Sequence, residues 1–152
     1  MSLPSGLPSD VAAPVVAVWC VDLAREPDPA GAVLPAADWE RARRFLHPEA
    51  RRRHTRARAR LRRLLGAALG LEPADVPLVT GPRGKPRLDP SAGLPDLRFN
   101  LAHAGDRAAL ALAWAREVGI DLEPVAPGRD LGRIAARWFT AAEAERLREL
   151  GP

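Results

Sequence analysis

Tyrosine is missing from this chain of 152 residues, and with three Phe and four Trp the aromatic share is 5%. Base-stacking platforms for single-stranded nucleic acid rely on such rings and have little to build on here. Cysteine is as scarce: Cys20 stands alone, which excludes an internal disulfide. Long hydrophobic runs are lacking too. The apolar stretch from Val11 to Val21 follows no basic segment, contains Pro14 and is too short to span a bilayer. These absences lead us to expect a cytoplasmic protein with no membrane partner. Lysine is the last scarcity, since of 23 Lys and Arg residues Lys85 alone is lysine.

What remains is a folded-protein composition, 47% apolar and long enough for one domain with a real core. The net charge of +4 comes almost wholly from arginine. Between positions 41 and 63 stand Arg41, Arg43, Arg44, Arg51, Arg52, Arg53, Arg56, Arg58, Arg60, Arg62 and Arg63, with Glu49 the only acid. Most of them fall in a segment after Pro48 that reads as a long helix to Leu69, with Gly70 as its stop. Its apolar positions Ala57, Leu61, Leu64, Leu65, Ala68 and Leu69 recur at helical spacing. On that wheel Arg51, Arg58 and Arg62 border the packing stripe, where a cleft is expected. Arg53, Arg56, Arg60 and Arg63 lie away from it and are expected to face solvent or an acidic partner.

Residues 1–13 read as a disordered leader, Val15 to Leu23 as a first strand, and Leu34 to Phe45 as a helix. After Pro77 strands are expected at Leu78 to Thr80, Leu97 to Ala102, Ala108 to Ala115 and Val118 to Leu122, with a tight turn at Gly81 to Gly84. Pro124 to Gly128 reads as a linker. Two short helices follow, opening at Asp130 and Thr140.

Gly119-Ile120-Asp121-Leu122-Glu123 is the segment richest in chemistry. In an extended chain Asp121 and Glu123 point to one side and Ile120 and Leu122 to the other. Two carboxylates about 7 Å apart by strand geometry repel unless a cation sits between them. A small set of hard oxygen ligands favours magnesium.

Upstream lie Gly84-Lys85-Pro86 and Phe99-Asn100-Leu101-Ala102-His103, and downstream Arg137-Trp138-Phe139-Thr140-Ala141-Ala142-Glu143. In that order and at about these separations, the four segments resemble the signature of the 4'-phosphopantetheinyl transferase superfamily. The resemblance runs from about Trp39 to Leu150 and is to the larger, pseudo-twofold class. It implies an α+β fold: a transferase-like half with antiparallel strands packed on a long helix, then the first strand and helices of a second, incomplete half. In domain terms, residues 14–116 would be the N-terminal subdomain and 117–152 the start of a truncated C-terminal one.

The function implied is that of a holo-carrier-protein synthase. The 4'-phosphopantetheine arm of coenzyme A passes to a serine of an acyl or peptidyl carrier protein, with Mg2+ required. Asp121 and Glu123 would hold the metal and His103 the coenzyme's 3'-phosphate. Lys85, Arg53, Arg58 and Arg62 would lie on the coenzyme's phosphates, and Glu143 close to the coenzyme. Relatives often carry serine just before the histidine, where this chain has Ala102, so one hydroxyl donor is lost. Glu143 has a purely local explanation as well, since Thr140-Ala-Ala-Glu143 is a capping box. No match is found to the Trp-x-x-Lys-Glu segment of the larger members, so the catalytic residue expected there cannot be named. The alternatives are a coenzyme A-binding remnant without activity and, ranked below it, a nucleic-acid-binding module on the Arg-rich helix.

Overall fold

Leu97, Phe99 and Leu101 alternate with Arg98, Asn100 and Ala102, which prepares one face of a strand for burial. In the computed structural model, which describes residues 15–81, 84–125 and 131–150, that strand is β4, Leu97–Ala104. The order of elements is β1 (Ala17–Asp22), α1 (Ala36–Arg43), α2 (Pro48–Leu69), β2 (Leu78–Thr80), β3 (Pro86–Leu88), β4, β5 (Arg107–Trp114), α3 (Leu131–Trp138) and α4 (Ala141–Leu150). Strand β5 is central in an antiparallel sheet of order β1-β5-β4, while β2 and β3 form a separate small hairpin. The register sets Trp19 and Leu101 opposite Leu110, and Ala17 and Phe99 opposite Leu112. Directly opposed residues share a face, so this face is the apolar one.

Helix α2 covers it. Ala57, Leu61, Leu64 and Leu65 are buried with Val21, Phe99, Leu110 and Leu112 in one cluster, and Ala68 and Leu69 pack at its margin. The helix stops at Gly70, whose φ of 70° is left-handed and suits a residue without Cβ. One turn earlier, a Cβ on Gly66 would lie 2.6 Å from the carbonyl of Leu71, so the returning chain needs glycine there.

Helix α1 is fixed to α2 by charge. Asp38, 5% exposed, accepts from Arg58 Nε and Nη2 on one oxygen and from Arg62 Nε on the other. Arg62 also donates through Nη1 to the carbonyls of Pro73, Ala74 and Val76, tying the approach to β2 into the same knot.

The strand expected at Val118 to Leu122 is not one. Residues 117–125 carry no regular structure and pair with no strand among the described residues, although Asn100 of the edge strand β4 reaches the Ile120 carbonyl. A second correction concerns β3, a strand not anticipated, whose Pro86 sits at its first position, where the missing amide costs least. A third concerns the outer arginines of α2. They do not face open solvent, since Asp28, Glu26 and Asp106 lie over them from the loop after β1 and the β4–β5 turn. The expected leader 1–13, part of the linker and the opening at Asp130 lie outside the described residues.

Burial alone would raise the Asp38 carboxyl, but the charge of Arg58 and the bonds from Arg62 and Arg58 outweigh it and hold the group below its ordinary value. Its folded pKa is therefore the lower one. Stability from this cluster is present above about pH 4, the unfolded range, and is lost as pH falls through the folded value. Asp38→Asn should cost about 3–5 kcal/mol at pH 7, read as a lower urea midpoint, because it strands two buried guanidinium groups. The variant should also lose less stability than the parent between neutral pH and pH 3.

Candidate functional site

Lys85 leaves the β2–β3 turn, which Gly81 closes by donating its amide to the Lys85 carbonyl at 2.8 Å. Its Nζ donates to the carbonyl of Val118 at 2.9 Å and lies 3.8 Å from Glu117. Glu117 also accepts from Arg98 of β4 at 2.7 Å. Two residues further on, Asn100 Nδ2 donates to the carbonyl of Ile120 at 3.4 Å. Three of the four sequence segments are thereby brought together by side chains reaching for main-chain carbonyls, which takes the place of a strand ladder.

The segment held in this way keeps the expected alternation. Val118, Ile120 and Leu122 are half-buried, while Gly119, Asp121 and Glu123 are exposed. Asp121 Oδ1 accepts from the Leu122 amide at 2.9 Å, which orients that carboxylate. Among the described residues no group of three or more His, Cys, Asp and Glu is clustered to hold a metal. Two exposed carboxylates fit magnesium nonetheless, because that ion takes one or two protein carboxylates and fills its shell with water and phosphate oxygens.

Beside this junction is a cavity of about 810 Å3, lined among others by Lys85, Pro86, Leu97, Arg98, Phe99 and Glu117. Its size is that of a small-molecule site.

His103 lies three residues beyond Asn100 on β4, about 10 Å along the strand. It is exposed at the β4–β5 turn. The same turn carries Asp106, whose Oδ1 accepts from Arg53 Nε at 2.6 Å, so His103 and Arg53 belong to one end of the molecule. Nε of Arg53 makes that bond, and the Arg53 side chain is 35% exposed. Next in sequence, His54 stacks on Phe45 with centroids 4.8 Å apart. Burial first, then the charges of Arg58 and Arg41, push its pKa down to about 4, so it is neutral at pH 7.

Arg58 and Arg62 are placed differently. Both are committed to Asp38, and Arg62 is 4% exposed. Glu143 makes the capping box: Oε2 accepts from the Thr140 amide and hydroxyl, each at 2.8 Å, and the Glu143 amide donates to Thr140 Oγ1 at 3.4 Å. Those bonds from Thr140 lower its carboxyl. Beside it Trp138 is 73% exposed, with the Arg137 guanidinium 5.2 Å from its ring centroid. Sequence reasoning missed Glu117, Asp106 and Asp38. For Asp38 a signal exists, since Arg58 and Arg62 are four apart on one helix face and invite a shared partner.

No family model matches the chain. It is 43% identical over 119 residues to the 4'-phosphopantetheinyl transferase HetI of Nostoc sp., an overlap covering 78% of this chain and 50% of that protein. Over 129 residues it is 33% identical to a 4'-phosphopantetheinyl transferase of Bacillus subtilis, covering 85% and 55% respectively. The L-aminoadipate-semialdehyde dehydrogenase-phosphopantetheinyl transferase of Homo sapiens is 32% identical over 138 residues, covering 78% and 45%. The chain belongs to the 4'-phosphopantetheinyl transferase superfamily. It spans about half the length of these relatives.

The tether from Lys85 yields a test independent of any ligand. Lys85→Met should speed amide hydrogen exchange across residues 117–123 by roughly fivefold while leaving β5 unchanged, since one hydrogen bond contributes about 1 kcal/mol. Unaltered exchange in 117–123 would show that the segment is held by other contacts.

Proposed function

We propose that this chain binds coenzyme A with magnesium and takes part in moving the 4'-phosphopantetheine arm to a serine of an acyl or peptidyl carrier protein. One observation carries the reading. Lys85 and Asn100 grip the carbonyls of Val118 and Ile120, which fixes the segment bearing Asp121 and Glu123 beside β4. The carboxylates, the lysine, the cavity and, further along β4, His103 with Arg53 then line one route suited to an extended, phosphate-rich molecule.

In this reading Asp121 and Glu123 would hold Mg2+, which would supply charge neutralisation for the coenzyme's pyrophosphate, and the leaving group of the transfer to serine is adenosine 3',5'-bisphosphate. Lys85 serves the phosphates or the adenosine end, with the neighbouring cavity taking a nucleoside-sized group. His103 and the Arg53 guanidinium take the 3'-phosphate, a charge-assisted arrangement suited to that dianion. Arg58 and Arg62 support the helix that presents Arg53, and Glu143 orders the start of α4 near the coenzyme. None of these residues is assigned the serine proton.

We read residues 14–116 as one transferase half and 117–152 as the opening of another, at work in the cytoplasm. No described helix is long and apolar enough to cross a membrane. The nucleic-acid reading weakens, because from Arg52 to Arg63 every arginine of α2 already has a carboxylate partner within 4.0 Å.

Calorimetric titration tests the assignment. Asp121→Ala should abolish magnesium-dependent binding of coenzyme A, and Glu123→Gln should weaken it strongly. A parent-like affinity in Asp121→Ala would falsify the metal site. His103→Ala should lose roughly tenfold or more in affinity for coenzyme A but little for dephospho-coenzyme A, because only the former has the 3'-phosphate. An equal loss for both ligands would remove His103 from that role.

A further inference from the structure

Four of the side chains that line the cavity alternate in sign. Asp96 accepts from Arg98 Nε, Arg98 Nη1 donates to Glu117 at 2.7 Å, and Glu117 stands 3.8 Å from Lys85, whose Nζ ends the row on the Val118 carbonyl at 2.9 Å. They come from four places in the chain: the residue before β4, β4 itself, the segment after β5 and the β2–β3 turn. Glu117 is the member shared by two cations, and it directly precedes Val118. Just upstream, the chain leaves β5 through Ala115, which has a φ of 47° and is the one non-glycine with positive φ among the described residues. Its amide donates to the Asp96 carbonyl at 2.7 Å. A left-handed residue with a Cβ persists only where its surroundings hold it. Asp96 holds Ala115 through the main chain and Arg98 through the side chain, and Arg98 holds Glu117, so the start of the acidic segment is fixed twice from one short stretch.

The Glu117 side chain is 72% exposed, and an exposed ion pair adds little to global stability. Its effect is local. Residues 117–125 join no ladder, so the free energy that keeps them in place is small and a single contact changes it by a large fraction. We infer that Glu117 is a positioning residue for the acidic pair: by joining Arg98 of β4 to Lys85 of the β2–β3 turn, it fixes the segment four residues ahead of Asp121. The inference rests on the coenzyme reading for what the positioned carboxylates do, and it adds a residue to which that reading gives no part. It also carries a sign. A carboxylate beside the site of a polyanion opposes binding through its charge, so its removal tightens binding if charge is its only effect. If it positions the pair that holds the metal, its removal weakens binding, and only when magnesium is present.

Calorimetry with coenzyme A, in the presence and absence of magnesium, tests the inference when joined to amide exchange on the coenzyme-free protein and the thermal midpoint. In Glu117→Gln the affinity with magnesium should fall roughly fivefold, while the affinity without magnesium and the thermal midpoint keep their parent values. Exchange across residues 118–123 should quicken about threefold. Combining Glu117→Gln with Lys85→Met should quicken it by clearly less than the product of the two single effects, because both act on one tether. Glu149→Gln also removes an exposed carboxylate paired with an arginine, at 3.0 Å, and should change none of these readings by more than about twofold. Unchanged or tighter magnesium-dependent binding in Glu117→Gln would overturn the inference. Equal losses with and without magnesium, together with a lower thermal midpoint, would make Glu117 a support of the fold alone and overturn it too, as would exchange effects that multiply in full. A parent chain without magnesium-dependent affinity would overturn the coenzyme reading, while quickened and non-multiplying exchange at 118–123 would still uphold the positioning by Glu117.

Discussion

One buried carboxylate sets the frame on which the rest of this structure depends. Asp38 of α1 holds both Arg58 and Arg62 of α2, and Arg62 passes on to the carbonyls of Pro73, Ala74 and Val76. Burial lowers Arg58 from its ordinary value, yet an arginine keeps its charge at neutral pH, so the cluster remains ionic. Replacing one partner is costly because the others stay behind in a low-dielectric setting. The geometric consequence is as important as the energetic one. Val76 leads into β2, β2 into the turn that ends at Lys85, and Lys85 into the segment with the acidic pair. A charge cluster between α1 and α2 thus helps to position residues beyond the β2–β3 hairpin.

The acidic segment illustrates a different constraint. Backbone that joins no strand ladder still has to satisfy its carbonyls. Here Lys85 and Asn100 do so for Val118 and Ile120, from two separate elements. Such a tether is weaker and more local than a ladder. It allows both carboxylates to stay exposed on one side while Ile120 and Leu122 turn half inward. Exposure suits a metal that must share its shell with an incoming phosphate.

Much of the fold was legible because local rules and tertiary packing agree. The span from Pro48 to Leu69, with its apolar stripe and its glycine stop, is the helix observed. Likewise Leu78 to Thr80 is a strand with the expected limits, and β4 and β5 differ by one or two residues at their ends. Val118 to Leu122 misled because alternation reports which side is buried and says nothing of whether a partner strand exists. β3 was hidden by Pro86 and by its shortness. The site divides in the same way: residue order along the chain pointed to the family, but which arginines remain available is a tertiary fact. Nothing in the run from Arg52 to Arg63 announces that Asp106, Asp28, Glu26 and Asp38 will return to neutralise it.

The central claim is that residues from the β2–β3 turn, β4 and the segment after β5 act as one coenzyme site. Its most direct test is an NMR titration of isotope-labelled protein with coenzyme A and magnesium, followed by backbone and side-chain shifts. The account predicts that Lys85, Asn100, His103 and residues 119–123 shift together along one saturation curve, with the core residues Leu61 and Leu110 still. Shifts confined to one of these segments, or curves with separate midpoints for His103 and for Asp121, would contradict it.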